Sequence, residues 1–475
     1  MPAAGSAQPT GERQRIVWWA HVARGSAALV VLFARFMFEF REQKTLVKAF
    51  TFITPISLAE LPTSFAYDLY VWPRDHLDID PGTAAVGMFF MLSGFVIPFA
   101  LERRTMSAFG IRRILRVYPT LWVATALSLV VIWITTHGSP FPIERAQVIT
   151  SGTLVAQYGG KNWIDPSYWT IPIEELFYLT AAILAATRLL RRPAVLVGTA
   201  ALVTAVSIWA GRALPTPDKS PDVLFWTRFY IGRNLGFMVF IYVGVALHML
   251  YRGFWTRRMF ALVTGSIISL AAIALHHGAF QQPYLPVDQA TTYFNSFVTG
   301  FVIFMIFYCV GNRIPRTAPL QILGDMSYPV YLTVTVVGWT ILAWLTRSFG
   351  SYFLALPAAA AAVLGTAYLL HRFVEKPTYA LAQRITAQAR FRSDRSWSDE
   401  PRARRRRRAR HGRPGYVPEL DPDRAPESLP EPASAMLGLD ASVPDRDLRT
   451  SAAEQRDGSS ATPGSADHSS PTRTD

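Results

Sequence analysis

Hydrophobic residues in this chain are gathered into ten long runs that are separated by shorter polar segments. A helix needs roughly 20 mostly apolar residues to cross the hydrocarbon core of a bilayer, and each run approaches that length. The runs cover about residues 17–38, 83–101, 118–137, 173–190, 194–211, 235–251, 259–275, 296–311, 328–346 and 353–371. Pro377, which follows the last run, predicts the end of the tenth helix. We therefore predict an all-α integral membrane protein with about ten transmembrane helices.

Arginine residues are concentrated in the loops that follow the second, fourth, sixth and eighth runs. These loops contain Arg103, Arg104, Arg112, Arg113, Arg116, Arg188, Arg191, Arg192, Arg252, Arg257, Arg258, Arg313 and Arg316. Segment 276–295, by contrast, contains no Lys or Arg. Basic residues mark the cytoplasmic side of a membrane protein. An even number of spans therefore predicts a multi-pass protein of the plasma membrane with both termini in the cytoplasm.

One loop on the opposite side departs from this pattern. Segment 212–234 contains Arg212, Lys219, Arg228 and Arg233. We expect some of these side chains to turn inward, toward a pairing partner or a function, rather than to face open water.

The composition supports a membrane protein and excludes some kinds of site. Of the 475 residues, 51% are hydrophobic and 17% are charged, and the mean hydropathy is +0.21. A soluble domain of this size rarely combines these values. The single cysteine, Cys309, excludes an intrachain disulfide framework and a multi-cysteine metal site. We expect no metal site and no tightly bound cofactor.

The character of the chain changes after the last run. We divide it into a short cytoplasmic N-terminal segment (1–15), a membrane domain (16–380) and a C-terminal tail (381–475). The tail is predicted to be disordered, because a segment rich in Arg, Asp, Pro, Ser and Ala buries too little apolar surface to offset chain entropy. Within it, Arg404–Arg408 are expected to attract anionic lipid headgroups; the alternative is a basic tail that only fixes orientation. No nucleic-acid partner is expected, because no aromatic residues interleave with these arginines.

A charged pair interrupts the first apolar run. In RGSAALVVLFARFMFEF, residues 24–40, Arg35 and Glu39 lie one helical turn apart. Charges inside a bilayer are costly and usually face a protein-lined cavity or one another. One interpretation makes Glu39 a general base with a raised pKa. The interpretation that we favour is that the two charges neutralise each other.

Three other segments combine polar groups with long apolar stretches. FFMLSGFVI places Ser93 in the middle of the second run, where packing between helices is the alternative to a functional role. In FGIRRILRVYP, Arg113 and Arg116 share a helical face that suits a phosphorylated ligand or, equally, cytoplasmic anchoring. In YWTIPIEELFYL, Glu174 and Glu175 point to different faces of a helix, and acids in a first turn also stabilise the helix dipole.

Six segments together resemble the acyltransferase-3 family of membrane O-acyltransferases. They are, in order, ARGSAALVVLF, FFMLSGFVI, RRILRVYP, YWTIPIEELFYL, LGDMSYPVYL and FVEKP, spread over residues 15–380. The resemblance implies a ten-helix membrane bundle that takes acyl-CoA from the cytoplasm. It also implies an acceptor hydroxyl, usually on a carbohydrate.

At the position of the family's main catalytic residue, this chain has a different side chain. Family members carry an arginine in the first span and, after ten residues, a histidine that is taken to be the catalytic base. Arg24 matches the arginine, and the histidine position falls on Arg35. An arginine remains protonated at physiological pH and cannot accept a proton from a hydroxyl.

Other family positions are retained. Arg113 and Arg116 match an arginine pair, so the resemblance implies that they bind the phosphates of CoA together with Arg24. Ser93 and either Glu174 or Glu175 match positions near the family's site. Many members have tryptophan and histidine where this chain has Thr333 and Val334.

Two hypotheses for the function follow. In the first, the protein is an O-acyltransferase that moves an acyl group from acyl-CoA, expected to be acetyl-CoA, to a hydroxyl of a carbohydrate, glycolipid or glycosylated small molecule. Its expected catalytic residues are Arg35, Glu39, Glu174 and Ser93, and its expected acyl-CoA-binding residues are Arg24, Arg113 and Arg116. In the second, it is a catalytically degenerate relative that binds or translocates acyl or sugar ligands. We consider a generic transporter less favoured, since we find no inverted repeat and no matched pair of broken helices.

Overall fold

The computed structural model describes residues 17–54, 56, 64–102, 105–137, 141–212, 222–278 and 288–398. These residues belong to one compact unit, and a second unit, Val417–Asp475, lies outside the described residues. The predicted N-terminal segment 1–15 and the basic cluster Arg404–Arg408 also lie outside them.

All regular structure in the described part of the chain is helical. The first half contains α1 (Trp18–Glu42), α2 (Lys44–Thr51), α3 (Phe65–Leu77), α4 (Pro81–Glu102), α5 (Met106–Thr135), α6 (Arg145–Gly152), α7 (Ile171–Ala186) and α8 (Pro193–Arg212). The second half contains α9 (Val223–Met238), α10 (Ile241–Tyr251), α11 (Arg257–His277), α12 (Asp288–Val310), α13 (Ala318–Asp325), α14 (Ser327–Thr333), α15 (Val336–Phe349), α16 (Tyr352–Leu370) and α17 (Lys376–Ser398). Short 3-10 turns at Ala156–Gly159 and Pro166–Thr170 precede α7.

The helices confirm the predicted fold class. Within the described ranges, 9 helical segments are long and apolar enough to cross a membrane, and a bent helix pair raises the number to 10. Each of the ten predicted runs falls on one of these segments. Large apolar side chains on the outer helices, such as Trp122, Trp209 and Leu262, are exposed where lipid would cover them. The protein is therefore a multi-pass membrane protein built from helices.

Two glycines allow the central helices to cross in close contact. Gly94 of α4 faces the backbone carbonyl of Ile241, and Gly244 of α10 faces the backbone carbonyl of Met91. A β-carbon at either glycine would overlap the carbonyl oxygen of the other helix. Because small residues let helix backbones approach closely, this contact holds α4 and α10 together at the centre of the bundle.

The ninth predicted span is broken rather than continuous. α14 and α15 meet at an angle of 63°, and the break is stabilised by Asp165, which is 0% exposed. Its two carboxylate oxygens accept hydrogen bonds from the backbone N–H groups of Ser167 (2.8 Å) and Val336 (2.9 Å). The side chains of Ser167 and Thr335 are also hydrogen-bonded to each other. A distant carboxylate therefore satisfies backbone groups that a continuous helix would satisfy itself.

The prediction that the tenth helix ends at Pro377 is wrong. A π-helical turn, His371–Glu375, follows α16 and leads directly into α17, which continues to Ser398. A proline ring clashes with the carbonyl four residues before it in a regular α-helix. The wider π-helical turn lies directly before Pro377 and changes the spacing of those carbonyls. The backbone is therefore still helical at residue 381, the predicted first residue of the C-terminal tail.

Candidate functional site

A cavity of about 90 Å³ lies between α1, α4, α5, α7 and α14. Its wall is mostly aromatic and aliphatic, with a few convergent polar side chains. The lining residues are Arg24, Val86, Phe89, Phe90, Ser93, Arg113, Arg116, Val117, Thr170, Ile171, Glu174, Tyr178, Ser327, Tyr328 and Tyr331. A largely apolar cavity with a small polar group at its centre is typical of a binding site for small molecules.

Glu174 is the carboxylate at the centre of this cavity. It accepts a hydrogen bond from the Ser93 hydroxyl (3.1 Å) and pairs with Arg113 Nη2 (3.3 Å). It also accepts a hydrogen bond from Tyr178, which lies one turn further along α7. α4, α5 and α7 thus each bring a donor to one carboxylate. Glu175, the adjacent acid, does not line the cavity, as expected for neighbouring residues on a helix.

Three arginines make the cavity positively charged. The Arg113 guanidinium lies 3.9 Å from the centre of the Tyr178 ring, and its Nε is buried without a partner in the described structure. Arg116 Nε lies 3.7 Å from Glu375 Oε1. Arg24 has no carboxylate within ion-pair distance among the residues that the structure describes. Positive charge therefore exceeds negative charge around the cavity, which suits an anionic ligand.

Arg116 contacts Glu375, a buried carboxylate that is itself paired with a buried histidine. His371 Nδ1 lies 2.7 Å from Glu375 Oε2, and both side chains are buried. His371 Nε2 has no hydrogen-bond partner in the described part of the chain. The sequence motifs did not reveal this pair as part of the site. The four-residue spacing in HRFVE was the available signal, since it places both side chains on one helical face.

Arg35 and Glu39 pair with each other beside Tyr331, a residue of the cavity wall with which Arg35 interacts electrostatically. The two side chains form an ion pair with each other inside a π-helical segment, Ala34–Glu39, and neither lines the cavity. Arg24 and Arg35 share a helical face by spacing, but Arg35 lies about 16 Å further along the helix axis. The expected catalytic role of Arg35 beside Ser93 and Glu174 stays a prediction, and the pairing with Glu39 agrees with mutual neutralisation.

The comparison with protein families decides the class of this chain. A family model described as an acyltransferase domain matches residues 17–372. The chain belongs to the acyltransferase-3 family. No curated protein and no solved structure matches it significantly.

The acyltransferase domain contains the whole cavity. Of the site residues that the sequence predicted, Arg24, Ser93, Arg113, Arg116 and Glu174 lie together in its wall, although they come from four different helices. The sequence motifs did not indicate that the tyrosines Tyr178, Tyr328 and Tyr331 line the cavity. Only the four-residue spacing of Glu174 and Tyr178 indicated one of them.

Proposed function

We propose that this protein is a membrane O-acyltransferase that transfers an acyl group from acyl-CoA to a hydroxyl of a carbohydrate, glycolipid or glycosylated small molecule. The observation that carries the proposal is the convergence of three arginines and a hydrogen-bonded carboxylate in one cavity of an acyltransferase domain. The donor is expected to be acetyl-CoA, which enters from the cytoplasm.

The arginines suit the phosphates of the donor. A guanidinium binds phosphate oxygens through two parallel N–H groups, which gives both charge neutralisation and orientation. Arg113 and Arg116 lie near the start of α5, and Arg24 lies near the start of α1. The three side chains therefore reach the cavity from one end of the bundle. We assign them to the CoA moiety.

Glu174 is the proposed proton acceptor. The acceptor hydroxyl oxygen attacks the thioester carbonyl carbon, its proton passes to the Glu174 carboxylate, and the C–S bond breaks to release CoA. The proton then passes to the departing thiolate. Arg113 pairs with Glu174 in this structure, so a donor phosphate that attracts Arg113 would leave the carboxylate free to act as a base. Ser93 and Tyr178 orient the carboxylate through their hydroxyl groups.

Thiol release from acetyl-CoA by the detergent-solubilised protein tests this proposal, with and without a panel of sugar acceptors. Loss of a positioned base lowers the rate by roughly 10²–10⁴-fold, so Glu174→Gln is expected to reduce kcat by about this factor while acetyl-CoA still binds. Glu144→Gln is the matched control, because Glu144 pairs with Lys161 at an exposed position. Absence of acceptor-dependent thiol release in the natural protein, with acetyl-CoA bound, would overturn the proposal.

The second candidate function is a catalytically degenerate family member that binds or translocates acyl or sugar ligands. The observation that favours it is Arg35 at the family's histidine position, ion-paired with Glu39. Arg35→His discriminates between the two candidates. Activity that appears only in Arg35→His supports the degenerate protein, whereas activity in the natural protein that is lost in Glu39→Gln assigns the base to Glu39.

A further inference from the structure

A second group of polar side chains lies beside the cavity, at the end of the bundle where α5 finishes. We call Gln157, Tyr158, Arg228, Arg233 and Asn234 the amide–arginine cluster. Tyr168 is hydrogen-bonded to Thr125 in the second half of α5 (3.1 Å), which places the start of α7 at this end. Thr227 Oγ1 donates to the Tyr158 carbonyl (2.9 Å), which joins the first half of α9 to the same region.

The amide groups of the cluster are buried and incompletely bonded. Gln157 is 1% exposed; its side chain lies near the Tyr158 hydroxyl, but neither amide atom has a hydrogen-bond partner of normal geometry in the described structure. Asn234 is 0% exposed; its Nδ2 donates to the Tyr158 hydroxyl (3.0 Å), but its Oδ1 has no partner there. An unpaired buried polar group is costly and rare in native proteins. Such atoms are therefore able to hydrogen-bond a polar ligand.

The arginines of the cluster contact aromatic rings instead of carboxylates. The Arg233 guanidinium lies 5.1 Å from the Trp169 ring centre and 5.7 Å from that of Phe237. The Arg228 guanidinium lies 4.8 Å from the Trp209 ring, and its Nε is buried without a partner among the residues that the structure describes. Neither arginine has an acidic side chain within 4.0 Å in the described ranges. Arginines within a helical membrane bundle are normally paired, so these two suit an anionic ligand.

Trp169 connects the cluster to the cavity. Its ring centre lies 6.3 Å from that of Phe90, and Phe90 and the adjacent Thr170 both line the cavity. Arg233 contacts the same indole ring. A molecule held by Arg233 and stacked on Trp169 would therefore extend toward the cavity from the end opposite to Arg113 and Arg116.

We infer that the amide–arginine cluster is the acceptor subsite and that the acceptor is an acidic sugar, that is, a saccharide with a carboxylate or phosphate group. The inference rests on the proposed acyltransferase function. Hydroxyl groups of a sugar both donate and accept hydrogen bonds, which matches the unpaired atoms of Gln157 and Asn234. An anionic substituent matches Arg233 and Arg228, and a flat sugar face packs against the Trp169 ring.

The test compares three probes in acetyl transfer by the full-length protein: glucuronic acid, glucose 6-phosphate and glucose. We expect at least a tenfold lower KM for one or both acidic sugars than for glucose. Arg233→Gln should remove this difference by raising the KM for acidic sugars, and Arg233→Lys should restore part of it. Arg258→Gln, an exposed position at the start of α11, is the control. The relative KM of the two acidic probes identifies the anionic group as carboxylate or phosphate.

Equilibrium binding of the same sugars separates this inference from the proposed function. Acidic-sugar binding that Arg233→Gln abolishes, without any acetyl transfer, would support the subsite and overturn the acyltransferase function. Gln157→Leu removes the unpaired amide: a subsite role predicts weaker binding of all three sugars, whereas a water-filled site predicts unchanged binding. Equal KM and equal affinity for glucose and both acidic sugars in the natural protein would overturn the inference.

Discussion

The carboxylate of Glu174 shows how single residues balance charge in this cavity. Ser93, Arg113 and Tyr178 each contribute a hydrogen bond or an ion pair to it, so three side chains stabilise the carboxylate. The arrangement leaves Arg24, which has no carboxylate partner among the described residues, available to another anion. Arg116 in turn depends on Glu375 and His371, whose contacts fix its position from outside the cavity wall.

Glu375→Gln tests this positioning role. The substitution removes the charge opposite Arg116 and is expected to raise the KM for acyl-CoA roughly tenfold, which corresponds to about 1.4 kcal/mol. The kcat should change little, because Glu375 lies outside the cavity and does not contact the reacting atoms. Steady-state kinetics at varied acetyl-CoA measures both parameters. A fall in kcat at constant KM would contradict a positioning role and would indicate a part in the chemical step.

At the scale of helices, the close crossing of α4 and α10 requires glycine at positions 94 and 244, where a side chain would not fit. Gly94→Ala is expected to destabilise the protein by about 1–3 kcal/mol, the usual range for overpacking, because the backbone carbonyl of Ile241 cannot move aside as a side chain can. Thermal unfolding in detergent, followed by tryptophan fluorescence, measures the change.

Gly265→Ala is the matched control for the crossing. A β-carbon at Gly265 of α11 meets nothing within 4 Å, and alanine is favoured over glycine inside helices by about 0.5–1 kcal/mol. The two substitutions should therefore shift the unfolding temperature in opposite directions. Equal shifts in the same direction would show that the close crossing does not limit the size of residue 94.

The break between α14 and α15 depends on the Asp165 carboxylate. Asp165→Ala leaves the buried N–H groups of Ser167 and Val336 without their acceptor, at a cost of about 1–3 kcal/mol for each buried group. Asp222→Ala is the comparison, since Asp222 caps α9 through Phe225 N (2.7 Å) at an exposed position. A loss about equal to that of Asp222→Ala would contradict the structural role assigned to Asp165.

On the scale of the whole molecule, one carboxylate joins several of the arginine-rich loops. Glu102, at the end of α4, lies 3.3 Å from Arg252 Nη2, 3.5 Å from His248 Nε2 and 3.7 Å from Arg191 Nη2. The loops after α4, α7 and α10 therefore lie at the same end of the bundle, as the arginine pattern predicts. Which end faces the cytoplasm remains a prediction from the positive-inside rule.

Cysteine labelling tests that orientation. In a Cys309→Ser background, Glu144→Cys lies in the segment after the end of α5 and Arg258→Cys lies at the start of α11, both at exposed positions. An impermeant maleimide is expected to label Glu144→Cys on intact cells and Arg258→Cys only after the membrane is opened. The reverse labelling pattern would place both termini outside.

Sequence patterns predicted the spans and five cavity residues, because hydropathy and short motifs are local properties. The break at Thr333–Val336 was not predictable, since the acceptor that stabilises it, Asp165, is distant along the chain. Asp165-Pro166 was a visible capping signal, but only for its own 3-10 turn. Spacing alone did not show that Arg35 lies about 16 Å further along the helix axis than Arg24, although the two residues share a helical face.

The hydrogen bond between Asp165 and the start of α15 affects how an anion could bind at this break. Half-helices inside membrane transporters often direct the positive ends of their peptide dipoles at a substrate anion. Here the first N–H of the half-helix is bound to Asp165, so a travelling anion would have to displace a fixed carboxylate from that position. The guanidinium groups of the cavity wall are therefore better placed to bind an anion than the start of this half-helix.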